Sequence, residues 1–364
     1  MSEIFIGLIS GTSADGIDAA LVDFENGKVS ISSAITQPYP DELHQRIEQL
    51  IRDQSSPTID FLGETDTWVG EIFAEAVFSL LEESSKSPEA IIAIGSHGQT
   101  IRHKPHGGRP FSMQIGDPHV IATHTRIKTV ADFRRKDIAL GGEGAPLTPA
   151  FHLAQFATPK LNRAILNLGG IANLTLLLGK AEVFGFDVGP ANTLLDLWSV
   201  KNIGQRFDKD GLWAESGTVD INFLKHLLDD AYFKMPPPKS TGRERFNMDW
   251  LTEKLNAFPD LDPVDVQATL SQLVVDTVAT SLNTFGEIDE LFICGGGVHN
   301  QHVMKALANR LSCKVETTQA IELDPDYVEA VAFAWLARET LAGRPGNLPE
   351  VTGATRLAVL GAIF

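Results

Sequence analysis

Cationic side chains are scarce in this chain. Lys and Arg number 30 against 47 Asp and Glu in 364 residues, a formal net charge of −17. A phosphate backbone needs a basic face, so general binding to nucleic acid is excluded. An anionic ligand must then be held by backbone amides and a few local Arg or Lys side chains. Cysteine is nearly absent, and Cys294 and Cys313 stand in neither a zinc nor a redox spacing. They read as buried thiols of a reducing cytoplasm. No apolar run approaches the ~20 residues of a membrane span. The start of the chain carries Glu3 rather than the basic residues of a secretory leader, so a soluble cytoplasmic protein is expected. The P-loop pattern GxxxxGK[ST] is missing, as are the HRD and DFG motifs of protein kinases. The His-rich segment 102–109 has no carboxylates at metal-ligand spacing and reads as a solvated loop.

What is present is an ordinary globular balance, 43% hydrophobic and 21% charged, in a length that suggests two domains. Ile4 to Asp23 read as strand, tight turn, strand. Ile4, Phe5, Ile6, Leu8 and Ile9 make one apolar run, and Ala19, Ala20, Leu21 and Val22 a second. Between them, Gly11, Thr12, Ser13, Ala14, Asp15, Gly16, Ile17 and Asp18 combine glycine, hydroxyls and two carboxylates. Such a turn points several N–H groups and hydroxyls at one anion; the same residues also suit a plain Asp-Gly hairpin.

Strands and helices then alternate. A third strand covers 29–35, helices cover 41–52 and 59–83, and a buried strand at 90–95 ends in the polar tip Ser96-His97-Gly98-Gln99-Thr100. Gln114-Ile115-Gly116-Asp117 follows, then a short strand at 129–131 running into Asp132-Phe133-Arg134. These polar clusters sit at the carboxyl ends of strands, where open α/β sheets hold ligands. A glycine-rich stretch at 141–147 marks a passage to a second domain. There a strand at 163–168 enters Gly169-Gly170-Ile171-Ala172-Asn173, a second strand–glycine–strand design. Val183–Phe186 leads to Asp187-Val188-Gly189-Pro190-Ala191-Asn192 and a helix. A charged loop covers 208–217, a Pro-rich connection 235–245 and a long helix 265–285. A strand at 290–294 opens into Gly295-Gly296-Gly297-Val298-His299-Asn300, and the last helix, 327–342, carries Glu329. Two phosphate-cradling turns and a late glycine loop suit a nucleotide-dependent enzyme of two lobes.

The ordered set of motifs, Ile6 to Asp18, Gly95 to Thr100, Gln114 to Asp117, Asp132 to Arg134, Asn167 to Asn173, Asp187 to Asn192 and Gly295 to Asn300, resembles the anhydro-N-acetylmuramic acid kinase family and spans nearly the whole chain. Val188 and Ala191 depart from the pattern, which has Thr and Gly there, so a hydrogen bond at position 188 is in question. The resemblance implies an α/β, two-lobed, actin-like ATPase (ribonuclease H-like) fold with the active site in an interdomain cleft. Lobe boundaries are expected at 1–132, completed by 350–364, and at 133–349.

The activity so implied is ATP-dependent opening of 1,6-anhydro-N-acetylmuramic acid by water with phosphorylation of O6, in peptidoglycan recycling. An ordinary amino-sugar kinase acting on a free hydroxyl is the alternative. Asp187 is the expected base, although an Asp at a strand–helix junction also serves as a cap. Gly11 to Asp18 are expected at the β- and γ-phosphates, with Asp15 and Asp18 reaching Mg²⁺ through water. Gly169, Gly170 and Asn173 are expected to face the phosphates, Gly295, Gly296 and Gly297 the adenosine, and His97, Asp117, Arg134 and Glu329 the sugar. A homodimer is what the family suggests.

Overall fold

The computed structural model describes residues 2–11, 14–52, 57–179 and 182–364, with the side chain of residue 52 left aside. The chain forms two compact units, Met1–Gln155 with Tyr327–Phe364, and Phe156–Asp326.

In the first unit, β1 (Glu3–Ser10), β2 (Gly16–Glu25) and β3 (Lys28–Pro38) form an antiparallel meander. Helix Asp41–Arg52 and helix Ile59–Ser84 follow. Thr58 caps the longer helix by accepting from the Phe61 N–H at 3.1 Å, and Val69, Phe73, Val77 and Leu80 on its inner face are buried as their spacing requires. β4 (Ala93–Lys104) then pairs in parallel with β1 and carries β5 (Phe111–Ile115) as an antiparallel partner. β6 (Thr129–Ala131) lies parallel on the other flank of β4. The two-residue strand Ala362–Ile363 pairs with β6, so the chain's end completes this sheet.

The second unit repeats the design. β7 (Arg163–Leu168), β8 (Ile171–Leu178) and β9 (Glu182–Pro190) form a meander. β10 (Glu290–Cys294) runs parallel to β7, and β11 (Lys314–Thr317) parallel to β10. In both sheets the order is third, second, first, fourth, then the last parallel strand. Leu166, Leu174, Phe186, Leu194, Leu270, Val274 and Leu291 fill the second core. Of the strands in parallel pairs, β1, β7 and β10 are apolar runs because both faces are covered.

The unit boundaries fall elsewhere than the composition of 141–147 indicates. Helix Val328–Leu341 belongs to the first unit because it lies directly on β1 and β4. A Cβ built on Gly7 would stand 1.7 Å from the Ala330 carbonyl oxygen, and one on Gly95 would stand 2.0 Å from that of Phe333. The stretch 141–147 stays in the first unit because Asp137, fully buried, gathers it. Its carboxylate accepts from the Gly144 N–H at 2.8 Å, the Asn347 side-chain amide at 2.8 Å and the Thr352 hydroxyl at 2.9 Å. A pairing across more than 200 positions has no local signature.

Two expected loops are ordered elements. β4 runs through the polar tip and on to Lys104, so Arg102 to Lys104 are strand rather than solvated loop. Residues 208–217 hold a short turn, Lys209–Gly211, and helix Leu212–Ser216, held by the Asp208 carboxylate accepting from the Trp213 and Ala214 N–H groups at 2.9 and 2.8 Å. Cys294 is buried as expected, whereas Cys313 is half-buried.

Candidate functional site

The β1–β2 turn is braced from behind by β4. Ser10 is buried, and its hydroxyl lies 2.8 Å from the Gly16 carbonyl oxygen and 2.5 Å from Gln99 Oε1. Gln99 Nε2 donates in turn to the Gly11 carbonyl at 3.3 Å. The Ala14 N–H donates to the same carbonyl at 3.1 Å, with Ala14 in the left-handed region at φ 56°. Ala14 and Ile17 bury their side chains completely, so only their backbones are available to a ligand. Asp15 is exposed and Asp18 half-buried; Asp18 Oδ1 accepts from the Thr36 hydroxyl at 2.7 Å. Thr12 and Ser13 lie outside the described residues.

Two positions before Gln99 on the same strand, His97 is buried and paired. Its Nε2 accepts from Arg134 Nε at 2.9 Å, and Nδ1 sits 2.9 Å from the Gly98 carbonyl oxygen, which makes Nδ1 the protonated nitrogen. Burial, then the Arg134 charge, hold its pKa well below the usual histidine value. Arg134 also donates to the Gly144 carbonyl at 2.7 Å. It is therefore a half-buried, oriented cation, unlike Arg135, which forms an exposed ion pair with Asp132. Asp117 takes the capping role that competes with ligand binding: its carboxylate accepts from the His119 N–H at 2.8 Å at the start of helix Pro118–Thr125. It still lies next to the sugar candidates, since a Cβ on Gly116 would stand 3.7 Å from the Gly98 Cα. Glu329 is half-buried in the first turn of helix Val328–Leu341.

His97 and two further histidines make acid stability a property of this unit. Burial and nearby cations lower His103 to about 4, and burial alone lowers His152 to about 3. All three are neutral when folded, so below pH 6.5 the unfolded chain binds protons that the folded chain does not. Stability is then complete above pH 6.5 and lost as pH falls toward 4. Each such histidine contributes up to about 1.4 kcal/mol per pH unit. Melting followed from pH 7 to 5 should show this fall, and His152→Leu should make the slope shallower by about one proton's share.

In the second unit the glycine segments meet. The carbonyl oxygens of Gly169 and Gly170 accept from the N–H groups of Asn192 and Ala191 at 3.1 and 2.9 Å, at the start of helix Asn192–Ile203. The Gly295 loop sits directly on this turn. A Cβ on Gly295, at φ 81°, would stand 2.2 Å from Asn167 Oδ1, and one on Gly297 would stand 2.5 Å from the Leu168 Cβ. Gly296 faces open space, so the loop is pressed down on two glycines and open at the middle one.

Asp187 lies within β9, which continues to Pro190, rather than at its end. A bulge there opposes Ala172 to Gly189 and Asn173 to Asp187, leaving Val188 as the extra residue. Val188 and Ala191, the two departures from the expected motif, are both buried in the apolar core. The Asp187 carboxylate is fixed at both oxygens: Asn173 Nδ2 donates to Oδ1 at 2.8 Å and the Thr241 N–H to Oδ2 at 2.9 Å. Asn173 thus orients the carboxylate. The Pro-rich connection, which carries no chemical motif, and the turn just before it supply further contacts. The Lys239 carbonyl accepts from the Asp187 N–H at 3.0 Å, and the Tyr232 hydroxyl donates to the Asp187 carbonyl at 2.7 Å. The cause is that β9 is a sheet edge whose peptide groups need partners.

Comparison with known proteins places this arrangement in context. The family model described as anhydro-N-acetylmuramic acid kinase matches residues 3–364. A curated protein of that name from Coxiella burnetii (strain Dugway 5J108-111) is 50% identical over 370 residues, covering 100% of this chain and 97% of its own length. One from Shewanella woodyi is 48% identical over 364 residues, covering 100% and 98%. Component A of the Acidaminococcus fermentans (R)-2-hydroxyglutaryl-CoA dehydratase superimposes with a TM-score of 0.51 at 14% identity, over 94% of this chain and all of that one. That likeness concerns the fold alone, the two-lobed actin-like ATPase fold.

Proposed function

Because the chain belongs to the anhydro-N-acetylmuramic acid kinase family, we propose that Asp187 is the base that directs water to C1 of 1,6-anhydro-N-acetylmuramic acid while O6 takes the γ-phosphoryl group of ATP. The protein is a kinase acting on an alcohol group of a small sugar. In the proposed step Asp187 accepts a proton from water, and the new C1–O bond forms as the C1–O6 bond breaks. O6 bonds to the γ-phosphorus as the bond to the β-phosphate oxygen breaks. The products are N-acetylmuramic acid 6-phosphate and ADP, a salvage reaction of cell-wall sugar. The observation that carries the assignment is the fixation of both Asp187 oxygens, since a base held in one orientation needs little reorganisation in the transition state.

The remaining roles follow from chemistry and placement. Backbone amides of the braced turn from Gly11 to Asp18 would hold the β- and γ-phosphates. Magnesium supplies charge neutralisation on those phosphates. Asp15 and Asp18 offer it hard oxygen donors, and among the described residues no cluster of three or more metal-ligating side chains forms. A cation held mainly by phosphates and water, with one or two carboxylates, suits that donor set. The Gly169–Gly170 turn would support the phosphates and the open Gly296 the adenosine. Arg134, oriented by His97, suits the lactyl carboxylate. Asp117 and Glu329 are assigned to the sugar's polar groups. No helix among the described residues is long and apolar enough to cross a membrane; a cytoplasmic location and a homodimer belong to this same reading.

The test is mass spectrometry of the product formed in ¹⁸O-labelled water, quenched early because the anomeric hydroxyl exchanges slowly. One heavy oxygen, at C1, is expected. Failure to use the anhydro sugar, with phosphorylation of a free amino sugar instead, would replace this reading by an ordinary sugar kinase.

A further inference from the structure

Gln99 stands in the polar tip of β4, two positions from His97, and the roles assigned above leave it unused. Its side chain is 1% exposed. An amide buried this fully must recover the hydrogen bonds it gives up with water. Its Nε2 donates to the Gly11 carbonyl at 3.3 Å and to the Thr100 carbonyl at 3.2 Å. Its Oε1 lies 2.5 Å from the Ser10 hydroxyl. Two carbonyl oxygens beside Nε2 fix which way round the amide lies, since only the NH₂ end can donate to both. The Ser10 hydroxyl has one proton for two acceptors, Gln99 Oε1 and the Gly16 carbonyl at 2.8 Å, and so joins Gln99 to the far end of the β1–β2 turn.

The two ends of that turn are held differently. Its exit is pressed into the sheet: a Cβ on Gly16 would stand 2.6 Å from the Gln37 carbonyl oxygen, and the Tyr39 N–H donates to the Asp15 carbonyl at 3.3 Å. Its entry has no such wall, because a Cβ on Gly11 would meet nothing within 4 Å. The pairing of β1 with β4 also shifts register between Leu8 and Ser10, where Ser10 comes opposite Gln99. What fixes the entry is the Gly11 carbonyl, drawn inward by Gln99 Nε2 and by the Ala14 N–H at 3.1 Å. A trans peptide points its N–H away from its carbonyl, so a carbonyl turned inward presents a backbone donor outward. A glycine peptide can also rotate the other way at little steric cost. It would then offer an oxygen, which repels a phosphate.

We propose that Gln99 is a positioning residue for the nucleotide, a buried amide that holds the Gly11 carbonyl inward so that the β1–β2 turn presents donors to the phosphates. This rests on the reading of that turn as the phosphate cradle. Gln99 acts through Gly11 and Ser10 and touches no ligand itself.

The experiment measures the binding of ADP and of adenosine by titration calorimetry, with magnesium, to the wild type, Gln99→Met and Ser10→Ala. The ratio of the two affinities isolates what the phosphates contribute. For Gln99→Met, ADP should bind about 10–100-fold more weakly, the worth of one hydrogen bond to a charged group, with adenosine within about threefold. Ser10→Ala leaves the Nε2 bond in place and should lose about 3–10-fold for ADP alone. An ADP affinity within twofold of wild type in Gln99→Met would overturn the role of Gln99. So would equal losses for ADP and adenosine, which mark general damage rather than a misplaced phosphate turn. A wild type that binds ADP no more tightly than adenosine would instead remove the phosphate-cradle reading, and the proposal with it. Binding is read without turnover, so no outcome depends on which sugar is phosphorylated. Should Gln99→Met fail to fold, as judged by thermal melting, Ser10→Ala carries the test, and an unchanged ADP affinity there would overturn the proposal.

Discussion

Asp187→Asn should lower turnover by about 10²–10⁴-fold, the range for removing a general base, while the protein stays folded. The second half of this expectation comes from the hydrogen bonds. Thr241 N–H and Asn173 Nδ2 both donate to the carboxylate, so an amide at position 187 meets a donor with its own NH₂ group. Asn173 can resolve the conflict by turning its amide over, so that its oxygen accepts from the new Asn while the new oxygen keeps the Thr241 N–H. The stability change should then be about 1 kcal/mol or less. Steady-state rates and melting curves on one preparation check both halves. A folded variant with wild-type rate would dismiss Asp187 as base, whereas an unfolded one would show that the turned amide is not accommodated.

A second large effect is expected far from any reacting atom. Gly7→Ala places a methyl group where the Ala330 carbonyl oxygen already stands, 1.7 Å from the ideal Cβ position. Backbone rather than a flexible side chain is in the way, so β1 and helix Val328–Leu341 must separate. Ala330, Val331, Ala334 and Ala337 are buried on that helix, and separation strips part of this packing. A cost of about 3 kcal/mol or more is expected, at the upper end for overpacked cores, with Tm lowered by roughly 6–12 °C. Gly63→Ala is the internal comparison. Gly63 lies exposed in helix Ile59–Ser84, with nothing near its Cβ position, and alanine there should stabilise by about 0.5–1 kcal/mol. Equal effects at the two positions would show that helix Val328–Leu341 does not pack as described.

Local chemistry was enough to read the elements whose signals are local. The apolar runs of β1, β2, β7 and β10 are strands, the spacing of Val69, Phe73, Val77 and Leu80 makes a helix, and the glycine segments fall between elements. The ordered motifs also led directly to the family. Other features are decided by partners distant in sequence. His97 carries no mark of its pairing with Arg134, nor Asn173 of its bond to Asp187. Asp117 has the same composition whether it caps a helix or binds a sugar. The Pro-rich connection 235–245 looks like a linker because its work is done by a lysine carbonyl and a threonine N–H, and neither needs a motif. It acquires that work because β9 lies at a sheet edge, and edges exist only once strands have been ordered in space. Likewise nothing local marks Gly7 and Gly95 as points of contact until helix Val328–Leu341, more than 200 residues away, is laid across them. Side-chain periodicity is written residue by residue and survives in the sequence; close approach between distant segments is set by packing, and only the folded chain decides it.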